Sequence, residues 1–170
     1  MHPWLDAGAR WAHSSPWRLV SSCAVPEDAG ATSPEHGTFD NGFNSFVDTE
    51  VCAAAPWQFD VQATEHEYGF FTVLFDQDGN FAGVIVHLNY DATISANGIT
   101  LIERDTWTFI FRADGTARDI GLTVHIQGPP GGIVVRDAGQ IVYNPDGSVN
   151  YIRGPHEQLS GVSFCPALVP

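Results

Sequence analysis

From Thr38 onward, apolar and polar residues alternate with the period of a strand rather than that of a helix. The clearest run sets Trp57, Phe59, Val61 and Ala63 against Gln58, Asp60, Gln62 and Thr64. Four turn dipeptides then punctuate the chain, at Asp78-Gly79, Asn97-Gly98, Asp114-Gly115 and Asp146-Gly147. Each supplies the positive φ that a tight hairpin needs. The stretch from Gly128 to Gly132, with Pro129 and Pro130 inside it, marks one further reversal. No helix-length pattern interrupts residues 38–160. Turns roughly 16–19 residues apart predict long strands, subdivided by weaker turns near 91 and 105. Such strands suit a coiled barrel better than an immunoglobulin-like sandwich, and closure removes exposed strand edges. The pattern therefore predicts an all-β antiparallel meander closed into a roughly eight-stranded β-barrel over 38–170, preceded by an extension over 1–37.

Treating the Asp-Gly dipeptides as two-residue turns assigns faces. At Asp78-Gly79, Phe71, Val73 and Phe75 share an apolar face with Ala82, Val84 and Val86. Phe70, Thr72 and Leu74 then share the other face with Gly83, Ile85 and His87. At Asp114-Gly115, Trp107, Phe109 and Phe111 lie with Ile120, Leu122 and Val124. The opposite face carries Arg104, Thr106, Thr108, Arg112, Asp119, Thr123 and His125, with Arg104 opposite His125. In a barrel the apolar face points inward, so Phe71, Val73, Phe75, Trp107, Phe109 and Leu122 are the expected ligand-binding lining.

Residues 1–37 read differently, being rich in Ala, Ser, Pro and Gly and holding Trp4, Trp11 and Trp17. Pro3 is placed to open a short helix, Gly8 weakens it, and 21–37 has the composition of a linker. No apolar run in this segment is long enough for a signal peptide, although a chain starting after a removed signal would read the same. Nor does any stretch approach a membrane span.

Charge narrows the partners. Twenty acidic residues against seven basic ones, all Arg, leave a formal net charge of −13. That surface repels phosphate backbones, so nucleic acid is not an expected partner, and anionic membrane surfaces are disfavoured likewise. Oligomeric state is left open. Cys23, Cys52 and Cys165 permit one intramolecular disulfide in three pairings, or three free thiols.

Three side chains are candidates for chemistry. His87 sits on a partly apolar face opposite Phe70, where its surroundings set its charge state. Arg104 and His125, opposite each other and near Asp119, form a group capable of acid–base work. No His-x-His or His-Glu-x-x-His spacing marks a metal site, and no phosphate loop or nucleophile elbow is present, so neither a metal nor a cofactor is expected.

The C-terminal half, through Val135 to Gly139, Gly154-Pro155-His156 and Phe164-Cys165, together with Cys52, resembles a group of uncharacterised secreted proteins of high-GC Gram-positive bacteria. The resemblance covers roughly residues 38–166 and implies export, a Cys52–Cys165 disulfide and a free Cys23, but no activity. At the level of fold alone, the acidic meander is similar to the small barrels of allene oxide cyclases and dirigent proteins, which hold an apolar substrate and shape its reaction. The resulting expectation is an exported barrel binding a hydrophobic small molecule, with cofactor-free cyclisation or isomerisation as its chemistry and His87, Arg104 and His125 as its polar groups. Two alternatives stand beside it: a secreted structural or interaction module with a packed core, and a metal-dependent barrel enzyme.

Overall fold

The computed structural model describes residues 33–170, so the short helix, the three tryptophans and Cys23 of the N-terminal segment lie outside the described residues. The rest is an antiparallel meander of seven strands. In chain order they are β1 (Glu35–Asp48), β2 (Val61–Phe75), β3 (Phe81–Ala96), β4 (Ile99–Arg112), β5 (Ala117–Gly128), β6 (Gly132–Tyr143) and β7 (Val149–Arg153). Among the described residues one 3-10 turn, Cys165–Leu168, follows the strands near the C-terminus. Strands pair strictly with their sequence neighbours, and β1 and β7 are the two edges, so the ladder is not closed among the described residues.

Several expectations change in detail. Seven strands replace eight, because β3 and β4 run unbroken through positions 91 and 105. β1 begins at Glu35, three residues before the expected boundary. β2 begins only at Val61. Its expected start at Trp57 fails because Gln58 has a φ of 53°, incompatible with an extended strand. Trp57 and Phe59 instead pack against the core from this loop.

The hairpins explain the faces. Asn97 and Gly98, with φ of 53° and 80°, form a two-residue turn, and β3 pairs with β4 without interruption from Gly83↔Arg112 to Ala96↔Ile99. The three Asp-Gly sites are different: each is a three-residue loop closed by the backbone of its flanking pair, Asp76 with Asn80, Arg112 with Thr116 and Asn144 with Ser148. The extra loop residue shifts the register by one at the turn. On β2–β3 a bulge between Leu74 and Phe75 corrects this at once, so Val73↔Val84 and Phe71↔Val86 pair as expected. On β4–β5 the correction comes only between Glu103 and Thr106. From Phe111↔Ala117 to Thr106↔Leu122 the faces are therefore exchanged on β5. Asp119 and Gly121 turn to the covered face, and Ile120 and Leu122 turn away from it. Leu122 is thus not part of the covered lining.

The covered, or inner, face is made by alternate residues of β2 to β6 and holds two apolar clusters. One, at the end of the sheet near Asn97, joins Val61, Ile94, Leu101, Val124, Ile126 and Val135 to Cys52, Phe164, Cys165 and Leu168. The other joins Val73, Val84, Val86, Leu88, Trp107, Phe109 and Ala117, with Phe39, Phe71, Phe75, Phe81, Phe111 and Tyr143 around it. After β7 the chain folds back along β6, where His156 bridges to Asp137 and the Pro155 carbonyl accepts from the Ala138 amide. It ends with Leu168 buried, the Leu168 carbonyl accepting from Asn97 Nδ2, and Cys165 bonded to Cys52. Of the three pairings, the structure has Cys52–Cys165.

Candidate functional site

Between the two apolar clusters the inner face turns acidic. On β4 the buried parity that starts with Leu101 and continues through Trp107 and Phe109 is occupied by Glu103 and Asp105, both 5% exposed. On β2 the same parity carries Glu65 and Glu67 between Ala63 and Phe71. On β3 it carries Tyr90, whose pair partners are Glu67 and Asp105. On β6 it carries Asp137 between Val135 and Ile141. A belt of carboxyl groups thus crosses the sheet, each held inward because its strand must keep its apolar neighbours inward.

These groups are held by specific partners. Tyr90 donates its hydroxyl hydrogen to Glu65 Oε2 at 2.8 Å. Asn41 and Asn44, from the bulged part of β1, donate to Glu67 Oε2 at 2.8 Å and to Glu65 Oε1 at 3.2 Å. At the β4–β5 bulge the His125 amide donates to Asp105 Oδ1 at 2.6 Å. Glu103 and Asp105 are successive inner-face residues of β4, so their carboxyl groups act on each other directly. Burial pushes both carboxyls up, and for Asp105 the neighbouring Glu103 charge adds to it. Each carboxyl makes ionisation of the other more costly, so the two titrate as one coupled unit.

Asp137 lies beside this pair and is raised as well, chiefly by burial. Its Oδ1 accepts from the Gln158 amide at 2.8 Å, and its Oδ2 is 4.0 Å from Nδ1 of His156. The His156 Nε2 faces the Arg153 carbonyl at 3.3 Å, which places a hydrogen there and leaves Nδ1 without a partner. On β5 a further acid is buried among aromatic residues. Asp119, 6% exposed, accepts from the Tyr143 hydroxyl at 2.9 Å through Oδ2, while its Oδ1 is buried with no partner. Burial pushes its carboxyl up to about 6, against the opposing bond from Tyr143. Among the described residues no group of three or more His, Cys, Asp or Glu is arranged to hold a metal ion.

The residues singled out in the sequence fall into two sets. Phe71, Val73, Phe75, Trp107 and Phe109 all belong to the inner aromatic cluster. Leu122 is on the outer face, for the register reason above. His87, Arg104 and His125 are also on the outer face and do not meet. The His87 ring packs 4.4 Å from that of Phe70, and its Nδ1 is 2.9 Å from Thr108 Oγ1. Arg104 is 73% exposed, with its Nε 3.8 Å from Asp91 on β3. His125 pairs with Arg136, and the bulge leaves Arg104 without the expected partner on β5. Asp119, expected with them on the wet face, is inside.

The carboxyl belt was missed because acidic residues in a strand ordinarily read as solvent-facing. A signal for it does exist: Glu65, Glu67, Glu103, Asp105 and Asp137 are in phase with the apolar residues of their strands, not out of phase. Asp119 carried no such signal, since only the shifted register turns it inward.

The fold and site define an all-β meander with a titratable belt inside an apolar face. Beyond that class, no protein-family model, curated protein or solved structure matches the chain.

Proposed function

We propose that this chain binds a hydrophobic small molecule against its inner face and moves a proton on it, in an isomerisation or cyclisation that needs no cofactor. The observation that carries this reading is the Glu103–Asp105 pair, two carboxyls each 5% exposed between two apolar clusters and both raised by burial, which in this reading share one proton at neutral pH. Burying several carboxyl groups costs stability that a merely packed core has no reason to spend. A neutral carboxyl in an apolar site is a competent general acid at neutral pH, and its ionised neighbour is a base. One member of the pair delivers a proton to one carbon of the ligand, and the other accepts a proton from a second carbon. The product is an isomer, and the pair returns to its starting proton count. Trp107, Phe109 and Leu88 supply the apolar wall. In this reading the sheet is rolled into a barrel around the site, and the Cys52–Cys165 disulfide fits an extracytoplasmic protein.

Native mass spectrometry of the protein, alone and with a panel of apolar ring compounds, is the direct test. Ligand uptake, with deuterium from solvent appearing at ligand carbon in the wild type but not in Glu103→Gln or Asp105→Asn, supports the reading. A chain that takes up no apolar compound would instead be a structural or interaction module with a packed inner face.

A further inference from the structure

Asp119 stands apart from the carboxyl belt and has no part in the proton transfer just described. Its pair partners are Phe109 on β4 and Ile141 on β6, both inner-face residues, so its side chain is directed to the covered face. Tyr143 satisfies one oxygen, and the other has no donor at all. A carboxylate oxygen buried without a partner forfeits its hydration with nothing in return, which leaves it avid for a donor.

The surroundings say which donor fits. Glu103, Asp105, Asp119 and Asp137 are all buried on this face, while none of the described arginines is buried. The local field therefore favours a positive charge over a neutral hydroxyl. Between the row of Asp119 and that of Asp105 and Asp137, the inner positions of β5 and β6 are Gly121 and Gly139, which pair with each other. Neighbouring backbone crowds both glycines: a Cβ on Gly121 would meet the Thr106 carbonyl, and one on Gly139 the Arg153 carbonyl. Asp119 sits opposite Phe109, four residues along β4 from Asp105, which is about 13 Å of strand.

We propose that the inner face is a site for an elongated apolar amine, whose ammonium group donates to Oδ1 of Asp119 and whose body lies against the aromatic cluster around Phe109. The proposal rests on the ligand-binding reading above and names the class of molecule bound. It assigns Asp119 the role of an anchoring residue, distant from the reacting carbons. The carboxyl is ionised near pH 8, since burial raises it only to about 6.

Phenylbutylammonium and its neutral counterpart phenylbutanol, titrated calorimetrically into the full chain at pH 8, test this. The ammonium compound is expected to bind at least about tenfold more tightly, as a charge-assisted bond to a buried carboxylate should allow. In Asp119→Asn, which retains an acceptor for Tyr143, the two should bind within about twofold of each other, and Glu103→Gln should keep the wild-type preference. Equal binding of both compounds to the wild type overturns the amine assignment while leaving the apolar-ligand reading standing. A preference that survives in Asp119→Asn overturns the role of Asp119. If neither compound binds, both readings fall, and if only the alcohol binds, the amine assignment falls. The wild-type comparison requires no variant to fold, so the amine assignment is decided even if Asp119→Asn is unstable.

Discussion

The two ends of the inner face are built for different purposes. Near Asn97 the cluster is mainly aliphatic on the sheet itself, contains no acid, and is fastened by the Cys52–Cys165 bond and by Leu168 from the C-terminal segment. At the far end the cluster is aromatic, lacks any covalent tie, and admits Asp119 with an unsatisfied oxygen. The carboxyl belt lies between them. Stability is thus concentrated where the C-terminal segment is fastened, and polar groups that cost stability are placed where side chains are large and flat. The contrast implies that damage to the first end should unfold the protein, whereas changes at the second should alter what it binds and how it responds to pH.

The largest effect should come from the covalent tie. Replacing Cys52 and Cys165 together by Ala opens a loop spanning 113 residues and should cost about 4–5 kcal/mol in the chain-entropy model. Urea unfolding measures that loss. Ammonium binding by the fraction that stays folded should be unchanged, and a parallel fall in affinity would show that the two ends are not separable. Next come single core truncations. Leu101→Ala at the tied end and Phe109→Ala at the aromatic end should each cost about 3–4 kcal/mol, but only the second should also weaken apolar-ligand binding.

The pH response sharpens the same contrast. Asp119 is raised in the folded state, so its favourable contribution is complete below pH 4 and lost as pH climbs toward about 6. Asp119→Asn should therefore gain on the order of 2 kcal/mol on wild type between pH 4 and pH 7, read from denaturation curves at each pH. The Glu103–Asp105 pair is raised too, so wild-type stability should decline further as the solution turns alkaline. Glu103→Gln should lessen that decline, and a flat alkaline profile in the wild type would contradict the shared proton. The smallest effect belongs to His87→Ala, which removes a contact to Phe70 and one to Thr108 on the outer face. It should change stability by less than about 1 kcal/mol and leave ligand affinity unaltered. A clear loss of affinity would place the ligand on the outer face instead.

How far the fold could be read in advance depended on which turn was involved. At Asn97-Gly98, both loop positions take positive φ, the loop has two residues, and the pairing runs true for the whole hairpin. At the Asp-Gly sites only the glycine does, with φ of 81°, 84° and 79° at Gly79, Gly115 and Gly147, and the residue before the Asp joins the loop. On β2–β3 the error vanished within two residues because a bulge sits beside the turn. On β4–β5 it persisted to Thr106, which is why Leu122 was assigned inward and Asp119 outward, each the reverse of its position in the structure.

The sequence by itself determined what is local to each segment: that it is a strand, where the chain reverses, and which residues within one strand share a face. These follow from backbone sterics and the two-residue period, which neighbouring residues settle among themselves. Only the tertiary structure decided how one strand's faces meet the next, because the position of a bulge depends on which register lets both strands pack. That choice turned Asp119 inward and gathered acids from β2, β4, β5 and β6 onto one covered surface. It also brought Cys165 within bonding distance of Cys52, a closure that depends on the path of every strand between them.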